Sequence, residues 1–287
     1  MAPKFNKEMA FSYGVADQLS PMVRRMVADN PSAYTFHGTN SYLVGNQDGD
    51  LALIDPGPDL PEHIEALNEA IGEQDLTAII ITHRHIDHTP AASHFQNSTG
   101  APIFAFEEPA GSSFGEDSSF HYDVGLKDKE VVRGNGWTLR ALHTPGHCGD
   151  HLCFALEEEN LCFSGDHVMG WASSIIIPPE GQLADYFHSI DYLHDLGFDA
   201  LLPGHGPTVD DPDQFLPALK NHRESRNEQI IRALKGGRSS KDQLVALVYA
   251  ATPKALHAAA AYTLEAHLIY LQEQNVITHD DGHYALI

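Results

Sequence analysis

Apolar residues recur along this chain with two periods. Short apolar runs at 34–44, 51–54, 76–81, 102–106, 137–142, 152–156, 161–163 and 200–202 are bounded by Gly, Pro, Asn and Asp. That is the pattern of buried strands, with a further strand near Val131. The first two runs pair around the turn 45–50. Other stretches carry the longer helical period. In 61–71, Ile64, Leu67 and Ile71 share one face; 90–96 opens on Pro90, which suits a first helical turn; 182–196 follows later. The polar, Gly- and Ser-rich stretch 107–122 reads as a surface loop. Strands alternating with helices predict an α/β fold in which two sheets are sandwiched between helices, αββα.

The pattern changes near Asp210-Asp211-Pro212. Residues 214–234, 240–249 behind a Ser cap, and 253–274 read as helices. Segments 276–278 and 284–286 read as a hairpin around Asp280-Asp281-Gly282. Charge changes at the same place: residues 1–215 carry nine Lys and Arg against 33 Asp and Glu, whereas residues 216–287 carry eight against seven. We therefore expect a catalytic domain at 1–211 and a small winged-helix-like domain at 212–287. Such a layout suggests nucleic-acid reading, but residues 255–274, where the recognition helix would lie, contain no Lys or Arg. The net charge of −23 also disfavours phosphate binding, which depends on cationic side chains. The run Ala258 to Ala261 with Leu264, Leu268 and Leu271 looks like packing surface. The tail is expected to serve structure or to form a homodimer, and nucleic acid is not an expected partner.

Chemistry gathers where the apolar runs end. Thr82-His83-Arg84-His85-Ile86-Asp87-His88 follows the run 76–81 and places three imidazoles and a carboxylate within six residues. In an extended segment His83 and His85 project to one side, and Asp87 and His88 come one step later, able to face a second ion. Imidazole and carboxylate together suit zinc, iron or manganese rather than thiolate-only chemistry. Three more segments end or follow apolar runs: Thr144-Pro145-Gly146-His147, Ser164-Gly165-Asp166 and Pro203-Gly204-His205-Gly206. Gly146 and Gly204 read as turn residues. Strand ends joined by Gly and Pro turns present side chains at one rim of a sheet. His83, His85, Asp87, His88, His147, Asp166 and His205 are thus the candidate metal ligands.

These segments, in this order and with Asp55-Pro56-Gly57 before them, resemble the metallo-β-lactamase superfamily over roughly residues 34–210, in the dinuclear branch that includes glyoxalase-II-like hydrolases. The resemblance implies that His83, His85 and His147 hold one metal, that Asp87, His88 and His205 hold a second, and that Asp166 bridges them. It implies two Zn2+ per chain, and a hydrolase in which Asp87 also orients the nucleophile. The family's ligand is the histidine after Pro-Gly, so His143 is expected to be a neighbour. Asp55 resembles a buried carboxylate that orients a ligand histidine; a plain turn Asp is the other reading. After His88 the family places a pair of glycines, and here stand Thr89-Pro90-Ala91. The tail resembles that of the lactamase-β-like-2 group.

Substrate is less defined. The expected reaction is hydrolysis of a small ester, lactone, thioester or cyclic amide, β-lactam ring opening included. The alternatives are an endoribonuclease of the lactamase-β-like-2 type and a mononuclear iron dioxygenase, whose branch also uses HxHxDH. The segment Val168 to Ile177 reads either as an apolar pocket wall or as a core strand. No apolar run is long enough to span a bilayer, and the first residues lack the apolar core of a leader. Three cysteines, Cys148, Cys153 and Cys162, fit buried thiols in a reducing cytoplasm, with Cys148 beside the site as a bystander.

Overall fold

The computed structural model describes residues 3–107, 115–250 and 257–287. A seven-stranded sheet contains, in spatial and chain order, β1 (Asp17–Gln18), β2 (Val23–Val27), β3 (Asn40–Val44), β4 (Leu51–Ile54), β5 (Leu76–Ile80), β6 (Ile103–Phe106) and β7 (Val124–Leu126). A five-stranded sheet faces it. Its order is β12 (Ala200–Pro203), β11 (Leu161–Gly165), β10 (Leu152–Leu156), β9 (Thr138–His143) and β8 (Val131–Arg133). β4 to β7 run parallel to one another, as do β11 and β12.

Alternation along the strands decides which residue meets which layer. Ala52 and Ile54 of β4 point between the sheets, where they meet Leu152, Phe154 and Leu156 of β10 and the buried Trp137. Their neighbours Leu51 and Leu53 point outward against Ile64, Leu67 and Ile71 of α1 (Pro61–Ile71) and Phe95 of α2 (Ala92–Thr99). On the second sheet Cys153 and Cys162 point outward beneath Tyr186, Ile190 and Leu193 of α3 (Leu183–Leu196). Interior strands buried on both faces are continuous in hydrophobicity, which is why the runs were conspicuous in the sequence. The layering is αββα.

Helix α4 (Pro212–Leu234) starts from an Asp211 cap whose carboxylate accepts from the Gln214 amide at 3.1 Å. Its first half packs Phe215, Leu216 and Leu219 onto the second sheet, and its second half carries Ile230 and Leu234 into a separate cluster. There it meets α5 (Lys241–Val248), which opens on a Ser240 capping box, α6 (His257–Glu273), and the hairpin β14 (Ile277–Asp280) and β15 (His283–Leu286). β13 (Ser239–Ser240) adds a third short strand beside β15. This is a winged-helix arrangement. Leu264, Leu268 and Leu271, the residues that suggested a dimer surface, are buried in this cluster within the chain. Among the described residues no helix is long and apolar enough to cross a membrane.

Some expected bounds shift. The strand expected over 34–44 begins only at Asn40. Residues 32–38 instead form a turn: the Asn30 carbonyl accepts from Thr35 Oγ1 at 2.6 Å, the Asn30 side chain accepts from the Thr39 amide at 2.9 Å, and Phe36 adopts φ 57°. Short polar side chains here outcompete a sheet ladder for the backbone. The helix after the metal loop starts at Ala92, beyond Pro90, and is closed by Gly100 in the left-handed conformation. Strands β1, β2, β7 and β13 were not foreseen. The expected loop 107–122 falls partly, and the start of the expected helix 253–274 wholly, outside the described residues.

The buried imidazole of His63 in α1 makes stability depend on pH. It touches Ser41 Oγ at 2.9 Å, and burial pulls its pKa from 6.5 down to about 4. Protonation therefore favours the unfolded chain. Its contribution is complete above pH 6.5 and is lost as the pH falls toward 4. Between about pH 7.5 and about pH 5 this group alone should lower stability by about 2 kcal/mol. Denaturant midpoints of chelator-treated protein should fall over that range, and His63→Gln should flatten the fall. An unchanged slope would mean that His63 is not held neutral.

Candidate metal centre

Parallel β4 and β5, and parallel β11 and β12, bring their C-terminal ends to one rim, where the loop after antiparallel β9 also arrives. Two backbone hydrogen bonds tie the sheets together there: the Leu152 amide donates to the Thr82 carbonyl and the Asn40 amide to the Gly204 carbonyl, each at 2.7 Å. Asn40 Nδ2 also donates to the carbonyls of Pro203 and Gly206, at 2.8 and 2.9 Å. The Pro203–Gly206 turn is thereby fixed against β3.

All seven candidate ligands converge at this rim, in two groups. Donor atoms of His83, His85, His147 and Asp166 lie within 4.8 Å of one another, and so do those of Asp87, His88 and His205. Asp166 faces both groups. Its Oδ2 is 3.8 Å from His147 Nε2, and its Oδ1 is 3.3 Å from His205 Nε2 and 3.7 Å from His88 Nε2. Asp87 Oδ2 is 3.2 Å from His205 Nε2.

The atoms behind the rings set their tautomers. Asp55 accepts from the Thr82 amide at 2.8 Å and from Thr82 Oγ1 at 2.7 Å. A hydroxyl has one proton, so Thr82 Oγ1 must accept, at 2.9 Å, from His83 Nδ1–H. That leaves a lone pair on His83 Nε2. His88 Nδ1 donates to Asp55 Oδ2 at 2.9 Å, His147 Nδ1 to the Ile175 carbonyl at 2.6 Å, and His205 Nδ1 to the Gly38 carbonyl at 3.2 Å. In each case Nε2 is the nitrogen turned into the site. Orientation of a ligand imidazole by a carboxylate or carbonyl on its other nitrogen is the usual device of metal sites. Asp55, whose backbone is left-handed at φ 46°, is thus far more than a turn residue.

Electrostatics distinguishes the two groups. His83 Nε2 and His147 Nε2 lie 2.9 and 3.2 Å from His85 Nδ1. Burial and the neighbouring histidines push the His83 pKa well below its usual value and that of His85 to about 4. Neutral His85, with its proton on Nδ1, can donate to the Nε2 atoms of His83 and His147, but no ring of this group takes up a second proton readily. In the other group burial lowers the His88 pKa, but Asp87, Asp55 and Asp166 outweigh it and raise it to about 9. Asp87 and Asp166 are themselves depressed: burial opposes ionisation, and the facing histidines overcome it. The carboxylates stay ionised at neutral pH. His88 Nε2 and Asp166 Oδ1 are sealed from solvent without a hydrogen-bond partner. Orphaned donor atoms in a set of five imidazoles and two carboxylates fit divalent ions with nitrogen and oxygen preference.

Several supporting residues escaped the sequence reading. His151, fully buried, accepts from the Asp166 amide at 3.1 Å and shares a 2.9 Å hydrogen bond with Thr144 Oγ1. Its only sequence signal is its place four residues after His147. Gly204 is needed for more than its turn, because a Cβ there would stand 2.6 Å from Asp166 Oδ1 and 2.9 Å from His88 Cε1. His143 bonds the Gly149 carbonyl at 2.9 Å and stacks on Phe106, outside both donor groups. Cys148 is buried with its thiol pushed well up by burial and by Asp150, so it is no thiolate. Residues 168–177 form no regular strand: Met169, Ile175 and Ile177 line a cavity of about 270 Å3 over the donors, while Val168 and Ile176 enter the core. Ser32, Tyr34 and Thr35 of the turn before β3 complete that cavity.

Comparison with known proteins agrees with this geometry. Residues 34–205 match the family described as the metallo-beta-lactamase superfamily, and residues 240–284 match the beta-lactamase associated winged helix domain. A beta-lactamase-like protein 2 homolog of Caenorhabditis elegans is 30% identical over 269 residues, 91% of this chain and 88% of the relative. An atrochrysone carboxyl ACP thioesterase of Aspergillus chevalieri is 34% identical over 227 residues, 77% of this chain and 68% of the relative. The solved structure of a beta-lactamase domain protein from Burkholderia ambifaria superposes with a TM-score of 0.82 at 18% identity, covering 98% of this chain and 96% of that one, a likeness of fold. The chain is a hydrolase of the metallo-β-lactamase superfamily that carries the associated winged-helix domain after its catalytic sandwich.

Proposed function

We propose that this hydrolase uses two zinc ions to hydrolyse the acyl C–O or C–S bond of a small ester or thioester, with lactones and cyclic amides as chemically related substrates. The observation that carries the reading is the set of seven converging donors, four of them imidazoles whose hydrogen-bonded Nδ1 turns Nε2 inward. His83, His85 and His147 would hold one ion, Asp87, His88 and His205 the other, and Asp166 both. Ions bound there would acidify water and polarise a carbonyl. Asp87 is the more exposed of the two carboxylates and borders the cavity, so it can accept a hydrogen bond from attacking water and aim it. Met169, Ile175 and Ile177 supply an apolar wall that excludes bulk water and accommodates an acyl group. Thioester cleavage is favoured within this class by the name of the Aspergillus chevalieri relative. Three free, buried cysteines support a reducing, cytoplasmic setting.

An endoribonuclease is the second reading, since the core and its winged-helix tail together resemble the lactamase-β-like-2 group. It is the weaker one, because residues 1–215 carry only nine Lys and Arg against 33 acids and a polyanion needs a cationic track. A panel of aryl ester, lactone, thioester, nitrocefin and short single-stranded RNA on one metal-loaded preparation should show carbonyl cleavage dominant. Faster RNA cutting by the wild type, absent in Asp166→Ala, would reverse the order of the two readings.

Elemental analysis of protein purified without chelator should give close to two equivalents of metal, mostly zinc. Asp166→Ala should retain at most one, with activity near background. A wild type that stays at one equivalent after loading would sink the dinuclear assignment. Asp55→Asn keeps a residue that tolerates the left-handed backbone but has one acceptor oxygen, so its NH2 must face a donor, either His88 Nδ1 or the Thr82 amide. It should weaken metal affinity about 10–100-fold while the fold is retained. Competition against a chromogenic chelator reads this directly; unchanged affinity would mean that Asp55 does not orient a ligand.

A further inference from the structure

Helix α4 carries two guanidinium groups that the catalytic reading leaves unused. Arg223 is 2% exposed, its Nη2 donates to the Ser174 carbonyl, and its buried Nε has no partner. Three residues on, Arg226 Nη1 donates to Gln229 Oε1 at 2.7 Å and to the Val248 carbonyl at 2.8 Å, with its guanidinium 4.3 Å from the ring centre of Tyr249. Elsewhere on the tail Lys220, Arg232, Arg238 and Lys241 each pair with a carboxylate. Among the described residues no carboxylate pairs with Arg223 or Arg226. A buried cation without a counter-charge is costly, and this chain has 40 acidic residues from which one could have been drawn.

Both arginines line a cavity of about 280 Å3, together with His222, Thr263 and His267. Among the described residues no Asp or Glu lines it. His267 is 1% exposed; its Nδ1 meets Asn227 Oδ1 at 2.7 Å, and its Nε2 has no partner. The cavity shares Tyr34 and Ile175 with the catalytic cavity. Its wall is also the catalytic wall. Ser174, whose carbonyl binds Arg223, donates through Oγ to the Asp166 carbonyl, and the next carbonyl, of Ile175, orients His147.

We propose that this cavity is an oxyanion subsite in which Arg223 and Arg226 take a carboxylate or phosphate at one end of the substrate, His267 Nε2 accepts from a neighbouring hydroxyl or amide, and the scissile carbonyl lies in the adjoining cavity. Guanidinium matches the planar oxygens of either anion with charge-assisted hydrogen bonds. The enzyme therefore prefers acyl substrates with an anionic tail over neutral ones of equal length. That preference rests on the hydrolase reading; the anion site itself does not.

Two experiments on the full-length protein, purified with metal, test this. First, inorganic phosphate and succinate are titrated by calorimetry into the wild type, Arg226→Gln and Asp166→Ala. At least one anion should bind, with affinity reduced tenfold or more in Arg226→Gln and kept in Asp166→Ala. The tighter of the two anions identifies the tail as phosphate or carboxylate. Absence of binding at millimolar anion, binding indifferent to Arg226→Gln, or binding lost only in Asp166→Ala overturns the subsite. Second, kcat and KM are compared for nitrophenyl butyrate and for the mono-nitrophenyl ester of succinic acid. The wild type should favour the anionic ester through KM, and Arg226→Gln should cancel that preference without changing the neutral ester. Equal loss on both esters overturns the substrate assignment. Cleavage of neither ester, with anion binding intact, would defeat the hydrolase reading and leave the anion site standing.

Discussion

Five imidazoles and two carboxylates share one rim because something behind each ring holds it there. Imidazoles packed this closely disfavour protonation of one another, so each ring has to be fixed from behind. The Asp55 carboxylate, the carbonyls of Ile175 and Gly38, and the Thr82 hydroxyl supply the opposing constraint by capturing the Nδ1 protons of four histidines. Asp55 serves two of them at once, His88 directly and His83 through Thr82. The rest of the molecule can be understood as support for these acceptors. β3 anchors the His205 turn through Asn40, and the interior packing of both sheets keeps the strand ends from drifting apart.

The candidate ligands were legible in the sequence because each segment sits just past an apolar run, and His147, Asp166 and His205 each follow a Gly. HxHxDH after 76–81 and Pro-Gly-His after 137–142 and 200–202 carry their position with them. The layer order was legible for the same reason: strands buried on both faces leave unbroken apolar runs. What lay behind the ligands was legible only in part. Asp55 could be read as an orienting carboxylate or as a turn residue, and it accepts from His88, 33 residues away; His151 finds the Asp166 amide 15 residues away, a pairing that leaves no local trace. The turn at 32–38 was mistaken for strand because Tyr34, Phe36 and their neighbours have strand-like composition, while the hydrogen bonds of Asn30 decide the geometry. In the tail the apolar face of α6 was visible, but its destination was not, since a helix face buried within its own chain and one shared with a partner look alike in one dimension.

Size and chemistry also part company in this protein. A cavity of about 910 Å3 is lined by the turns 45–49 and 135–136, which stand at the opposite ends of the strands from the candidate metal ligands. The catalytic cavity has less than a third of that volume, yet it joins an apolar wall to the clustered imidazoles and carboxylates of shifted pKa. In an open α/β architecture the carboxyl ends of parallel strands are the rim where side chains from different strands can meet, and this favours the smaller space for function.

Helix α4 gives the two domains a common ruler. Because it is one unbroken element of 23 residues, with Leu219 in the sandwich, Arg223 against Ser174 and Ile230 in the winged helix, the angular position of the tail is set by counting residues. One residue inserted between Leu219 and Arg223 would turn everything beyond it by about 100° and advance it by about 1.5 Å. Chains of this architecture can therefore vary in their loops, but the length of this helix is a quantity they must keep, much as a key must keep the spacing of its cuts.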